Sequence, residues 1–247
     1  MPKMSLHRLE EFARLCVGDA DLLENWASEQ IHYPAGAKIR SEGDPACCVY
    51  FLADGWVGSS KGLIDSRRQF IKIHLPGDVL GSPSMSLSAA GETLEAFTDV
   101  AVAPVPYRVL GQMIERSPRF AATFLLSVQK ERVALMQEKA ILGKACALER
   151  MAWFLLDLHA RLRAADMADE DGFDCPLKQE QIADLLGMTP VHASRTLTRL
   201  DREGVLERKR GRVVFKDPAA LRRLSPCAVP PFVQDPEWLP KARAGVN

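Results

Sequence analysis

The amino-acid sequence predicts an α+β chain built in three parts: an N-terminal β-roll, one long helix, and a C-terminal winged helix-turn-helix. Three observations carry that reading. Short strand-like runs separated by turn residues recur about every ten residues as far as Pro106. From Ser117 the apolar period becomes helical, with neither Gly nor Pro between Arg119 and Leu142. A helix–Gly–helix pattern and a basic hairpin then occupy Leu177 to Lys216. The boundaries drawn from these signals are 1–116 for the roll, 117–145 for the helix, 146–224 for the winged domain and 225–247 for a C-terminal extension.

Within the roll, Val49-Tyr50-Phe51-Leu52 meets the Asp54-Gly55 turn and continues as Trp56-Val57. Phe70 to Leu75 alternates so that Ile71, Ile73 and Leu75 share one face, opposite Lys72 and His74. Pro76-Gly77-Asp78 closes that strand, and Val100, Val102 and Val105 form another. A short helical start precedes Ile31.

Ser117-Pro118 is an N-cap followed by an N1 proline. Along the helix that follows, Val128, Leu135 and Leu142 recur at sevens, and Leu126, Val133 and Ala140 mark a second apolar stripe. Two stripes need two covers: the roll, and a second copy of the chain. The expected seam is Phe124, Val128, Leu135 and Leu142, although periodicity alone also allows a helix buried inside a monomer. A second helix places Leu148, Met151, Phe154, Leu155 and Leu158 on one face, and Ala164 to Asp174 reads as a polar, acidic loop.

Glu180 to Leu186 reads as a short amphipathic helix, Gly187 as the turn, and Thr189-Pro190 as the cap and first residue of the next helix. On that helix Ala193, Leu197 and Leu200 face inward. Val191, Ser194, Arg195 and Thr198 fall on another side, free to enter a major groove, with Arg199 beside them. The planar fork of Arg195 matches the O6 and N7 acceptors of guanine. Thr189, Pro190 and His192 lie at the helix start, where N–H groups hold phosphate. Val205 to Phe215 reads as a hairpin whose tip carries Arg208, Lys209 and Arg210 against the sugar-phosphate backbone.

Charge follows the same division. The 247 residues carry 32 basic and 32 acidic side chains. Cys175 to Leu224 nevertheless holds eleven basic against six acidic residues, a surplus that points to a polyanion such as double-stranded DNA. Hydrophobic residues at 47% and charged residues at 26% describe a globular chain. No apolar run approaches the ~18 residues a membrane span needs. Met1 to Cys16 is charged and lacks an apolar signal core, so a cytoplasmic location is expected. The six cysteines (16, 47, 48, 146, 175 and 227) form no CxxC pair, which argues against a zinc or iron–sulfur site. They read as ordinary half-buried thiols, with Cys47-Cys48 as a less favoured redox pair.

These motifs resemble the Crp/Fnr family of bacterial regulators, the cyclic-AMP receptor protein and its relatives, over about residues 20 to 217. In the roll the resemblance rests on Tyr33-Pro34-Ala35-Gly36, Glu42-Gly43-Asp44, Tyr50 to Gly55 and Pro76 to Gly81; in the winged domain, on Gln181 to Thr189 and Ser194-Arg195-Thr196-Leu197. It implies a jelly roll like a cyclic-nucleotide-binding domain, homodimerisation, a pseudo-palindromic operator and RNA polymerase as a partner. It also implies an effector pocket near Ser82, Leu94, Leu135 and Met136. Three departures matter. Where cyclic-AMP binders place a Glu this chain has Ser82, and Ser88 to Leu94 contains no arginine to face a phosphate. The cysteine cluster of the oxygen sensors is missing, so no cofactor is identified and an unknown small-molecule effector is the expectation. In the recognition helix Val191 stands where many relatives carry Glu.

Two other classes fit less well. A sensor module acting through protein partners needs neither Arg195 nor the basic wing. An enzyme is disfavoured because His7, His32, His74, His159 and His192 show no metal spacing, and no nucleophile motif or phosphate loop is present.

Overall fold

A computed structural model describes residues 10–15, 18, 29–64, 67–228 and 232–241. The helical start expected before Ile31 lies mostly outside the described residues, as does Cys16. The chain divides into two compact units, Met1–Val133 with Pro231–Asn247, and Ala134–Pro230.

The first unit is a roll of two four-stranded antiparallel sheets. Its strands are β1 (Ile31–Tyr33), β2 (Lys38–Arg40), β3 (Cys48–Asp54), β4 (Val57–Gly62), β5 (Arg68–His74), β6 (Val79–Leu80), β7 (Thr93–Ala96) and β8 (Val100–Pro106). One sheet has the order β1-β8-β3-β6 and the other β2-β7-β4-β5. Strand alternation sorts the core into two layers. Leu52, Val57, Leu80, Leu94, Val100 and Val102 fill the roll. Val49, Phe51, Ala103 and Val105, on the other face of the same strands, pack against helices α1 (Tyr107–Arg116) and α2 (Pro118–Lys144) through Leu110, Met113, Phe120 and Phe124. The Asp54-Gly55 turn needs glycine twice over. Its φ is +83°, and a Cβ there would come within 2.2 Å of the Asp99 carbonyl oxygen.

One strand departs from its expected alternation. Lys72 pairs with Ser59 and Phe70 with Ser60, so Ile71 is an extra residue in the ladder. This bulge leaves Phe70, Ile73, His74 and Leu75 buried and Ile71 half-buried, in place of the single apolar face of Ile71, Ile73 and Leu75. His74 Nε2 lies 3.2 Å from Ser59 Oγ, which gives the inward imidazole a polar neighbour.

The end of the C-terminal extension belongs with the roll. The buried Arg119, near the start of α2, donates to the carbonyl oxygens of Arg14 (2.8 Å) and Pro240 (2.7 Å) and to Asp235 Oδ1 (3.0 Å). Leu239 packs on Ala13, Ala122 and Leu126. Phe232 meets the Phe12 ring edge-on, and the Lys130 ammonium sits 5.0 Å from its centroid.

In the second unit α2 runs on to Lys144, and Ala145-Cys146 breaks the helix. Helix α3 (Ala147–Ala164) starts from Cys146, whose backbone N–H donates to Glu149 Oε2 at 2.7 Å. It buries Met151, Trp153, Phe154, Leu155, Leu158 and Leu162. The acidic stretch expected as loop contains strand β9 (Gly172–Asp174). Helices α4 (Gln179–Leu185) and α5 (Pro190–Arg202) follow, then strands β10 (Leu206–Lys209) and β11 (Arg212–Phe215) and helix α6 (Pro218–Leu224). The sheet order is β10-β11-β9. Its far side is closed by His159, Phe173 and Phe215, whose rings meet at 4.9 to 6.0 Å. Among the described residues no helix is long and apolar enough to cross a membrane.

Candidate nucleic-acid interface

Helix α4 ends at Gly187, where φ is +60° and the Met188 N–H returns to the Ala183 carbonyl at 2.9 Å. Arg150 Nη1 donates to the Leu186 carbonyl at 3.2 Å and so ties the turn to α3. The Thr189 hydroxyl then caps α5, accepting from the His192 N–H at 3.2 Å, with Pro190 at N1. Buried Ala193, Leu197 and Leu200 fasten α5 inward. This leaves Val191 60% exposed, with Thr189, Pro190, His192, Arg195, Thr198 and Arg199 exposed and Ser194 half-buried. The reading face expected from the sequence is therefore assembled on one helix. The hairpin turns through Arg210 (φ +52°) and Gly211 (φ +83°), the left-handed pair that matches the twist of a two-residue β-turn.

The basic surplus is less free than the sequence implied. Arg199 donates to Glu203 Oε1 at 2.7 Å, Arg208 to Asp201 Oδ2 at 2.8 Å, and Lys216 lies 3.2 Å from Glu207. Arg212 pairs with Asp169 and, at 3.6 Å, with Asp174. Arg195, Arg202, Lys209 and Arg210 make no ion pair among the described residues. One guanidinium in the middle of α5 and two cations at the hairpin tip thus face outward uncompensated. Burial pushes the neighbouring Cys175 thiol up to about 11, so it stays protonated and unreactive at neutral pH.

The residues expected to line an effector pocket are divided between the two units. Leu94 is fully buried in the roll interior. Ser82 is half-buried at the start of the 3₁₀ turn Ser82–Ser86. Leu135 and Met136 are 43% and 64% exposed on α2, in the second unit. Beneath the 3₁₀ turn the structure instead reveals a cation that sequence reasoning missed. Arg40, on β2, is buried, donates to Ser84 Oγ at 3.0 Å and stands 3.6 Å from the Glu92 carboxylate. Burial raises the Glu92 pKa against the pull of Arg40. The expectation of no cation near this stretch is therefore corrected: strand pairing sets Arg40 opposite Leu94, about fifty residues away in sequence. A separate recess in the roll is lined by His32, Tyr33, Pro34, Asp54, Asp99, Val100 and Ala101.

Of the expected seam on α2, Phe124 is 7% exposed and belongs to the core of its own roll, stacked on Phe120 at 6.1 Å. Its neighbour Leu125, 50% exposed, faces out. Val128 and Leu142 are half-buried and Leu135 is exposed.

Residues 149–224 match the model of the Crp-like helix-turn-helix domain, and residues 30–117 that of the cyclic nucleotide-binding domain. The chain is 32% identical over 200 residues to the nitrogen fixation regulation protein FixK of Bradyrhizobium diazoefficiens, covering 79% of this chain and 81% of that one. It is 30% identical to the transcriptional activator protein FnrL of Cereibacter sphaeroides, over 74% of this chain and 75% of that one. Among solved structures it is similar to FixK2 from Bradyrhizobium japonicum, with a TM-score of 0.72 and 28% identity over 81% of this chain and 98% of that one.

Proposed function

The chain belongs to the Crp/Fnr family of transcription regulators, and from that premise we propose that it grips a pseudo-palindromic operator as a homodimer, one α5 in each of two major grooves. The observation that carries this reading is the unpaired Arg195 in the centre of an exposed helix face, together with the unpaired cations Lys209 and Arg210 at the hairpin tip. A guanidinium left unpaired beside so many neutralised neighbours is available for an acceptor supplied from outside. Lys209 and Arg210 supply phosphate contacts, which position the protein without selecting sequence.

The dimer seam runs along α2 through Leu125, Val128, Leu135 and Leu142, with Arg132 and Lys139 between them. This is a three-and-four spacing in which Leu125 replaces the buried Phe124. The regulator works in the cytoplasm with RNA polymerase as protein partner and carries out no catalysis. Its effector is not cyclic AMP, because Glu92 already occupies the space beside Arg40, the cation that a cyclic phosphate would need. Titrating labelled DNA with the wild-type protein and with Arg195→Ala tests the reading. The wild type should prefer one selected site over random duplex, and the variant should lose that preference while keeping its salt-dependent binding to random DNA. Equal preference in both proteins would sink it.

A further inference from the structure

The basic run at the hairpin tip divides into two kinds of residue, and strand geometry explains the division. Successive side chains on β10 alternate between its faces. Leu206 is buried, Glu207 exposed, Arg208 half-buried and Lys209 exposed, so Arg208 shares the inner face with Leu206. On that face it meets the last turn of α5. Its Nε and Nη2 both reach Asp201 Oδ2, at 2.8 and 2.6 Å. The other carboxylate oxygen of Asp201 is buried and accepts no hydrogen bond. Arg208 is thus the group that compensates this acid, on the strand that leads directly to the tip.

The geometry points to Arg208 as a positioning residue for DNA binding: through Asp201 it fixes the angle between the recognition helix and the wing, while Lys209 and Arg210 alone deliver the phosphate contacts. The inference rests on the reading of α5 and the wing as the DNA-contacting elements. Helix and hairpin are joined through Gly204 (φ +71°), a left-handed turn in which the Val205 N–H donates to the Leu200 carbonyl at 3.0 Å, and beyond it Arg208–Asp201 is the side-chain tie between the two. A two-point grip of one guanidinium on one carboxylate oxygen across that turn holds the tip at a set distance from Arg195. DNA must satisfy both contacts at once, so a wing free to pivot loses affinity even though no contact to the phosphates has been deleted.

The test is a double-mutant cycle on the full-length protein, read as affinity for a duplex carrying the site that the wild type selects from a random library. Arg208→Ala and Asp201→Ala should each weaken binding about tenfold, a loss of ~1.4 kcal/mol. The double variant should be no weaker than either single one, because both remove the same clamp. The slope of log K against log salt should stay at the wild-type value in Arg208→Ala. It should flatten by about 0.9 per subunit in Lys209→Ala and again in Arg210→Ala. Melting curves of the free proteins keep a folding defect from passing as a positioning one. A flattened slope in Arg208→Ala would show that this residue touches phosphate itself, and additive losses or full affinity in the single variants would equally overturn the inference. If Lys209→Ala and Arg210→Ala also left the slope unchanged, it is the reading of the wing as a phosphate contact that would fall.

Discussion

The guanidinium of Arg40 and the carboxylate of Glu92 stand 3.6 Å apart inside the roll, with side chains 4% and 10% exposed. At that separation they attract without sharing a hydrogen bond, and Arg40 spends its short contact on Ser84 Oγ. Burial holds the Glu92 pKa above its ordinary value even with the cation present. A carboxyl raised in this way binds its proton more tightly folded than unfolded. Its contribution to stability is therefore complete below the ordinary carboxylate pKa and is lost as the pH climbs through the folded value. The stability of the wild type relative to Glu92→Gln should fall as the pH rises above the ordinary carboxylate range. Urea unfolding at a series of pH values measures it, and parallel profiles for the two proteins would show that the Glu92 carboxyl is solvated.

The same pair bears on the effector. Cyclic AMP should leave both melting temperature and DNA affinity unchanged in the wild type. A ligand at one hundred times its dissociation constant would add about 2.7 kcal/mol to stability, which a melting curve resolves easily. A saturable shift with cyclic AMP would mean that Glu92 moves aside to admit a phosphate.

Arg40 shows why this part of the roll was illegible in the sequence. A search of Ser88 to Leu94 for a cation finds none, because the cation comes from another strand through pairing that no local pattern announces. The bulge at Ile71 is similar: Phe70 to Leu75 alternates cleanly on paper, and only the ladder reveals the extra residue. The winged domain was far easier to read. Its capping threonine, N1 proline and positive-φ glycine each have one local physical reason and stand at fixed distances. Even there, the alternation of Leu206 to Lys209 was available to separate Arg208 from Lys209 and was hidden behind the basic run.

On α2 the neighbours Phe124 and Leu125 should respond in opposite ways. Leu125→Glu and Leu135→Glu place like charges in the proposed seam, and both should sediment as monomers that bind DNA weakly. Phe124→Ala should stay dimeric and lose about 3–5 kcal/mol of stability, as expected for a core phenylalanine. Sedimentation and denaturant melts together decide the matter. A dimeric Leu135→Glu would move the seam elsewhere.

The C-terminal segment should contribute to the stability of the roll through Arg119 more than through Asp235. Arg119→Ala leaves the carbonyls of Arg14 and Pro240 without their donor, a cost of about 1–3 kcal/mol. Asp235→Ala removes one ion pair whose carboxylate is 70% exposed, worth at most about 1 kcal/mol. Protease cleavage near Phe232 should quicken in the first variant and change little in the second. Equal behaviour of the two would show that the segment is held by its apolar contacts with Phe12, Ala13 and Ala122 alone.

Specificity turns on two exposed residues of α5. Arg195 is exposed and unpaired at the centre of α5, so it should read one guanine in each half-site; Arg195→Ala should cost about 1–3 kcal/mol per half-site and relax selection there. Val191, one turn earlier and 60% exposed, cannot accept a hydrogen bond from the amino group of cytosine. Its methyl groups suit the C5-methyl of thymine or a base that is not discriminated. The selected operator should therefore carry a fixed G in each half-site, with T or no preference at the Val191 step. Val191→Glu supplies the missing acceptor and should move selection at that step towards cytosine while leaving the Arg195 position untouched. The helix will tolerate the change, because the side chain projects into solvent and Glu is the better helix former. Site selection from a random library, run on both proteins, gives the two sequence preferences side by side. If they coincide, residue 191 does not face the base edges, and α5 lies in the groove with a different side turned towards them.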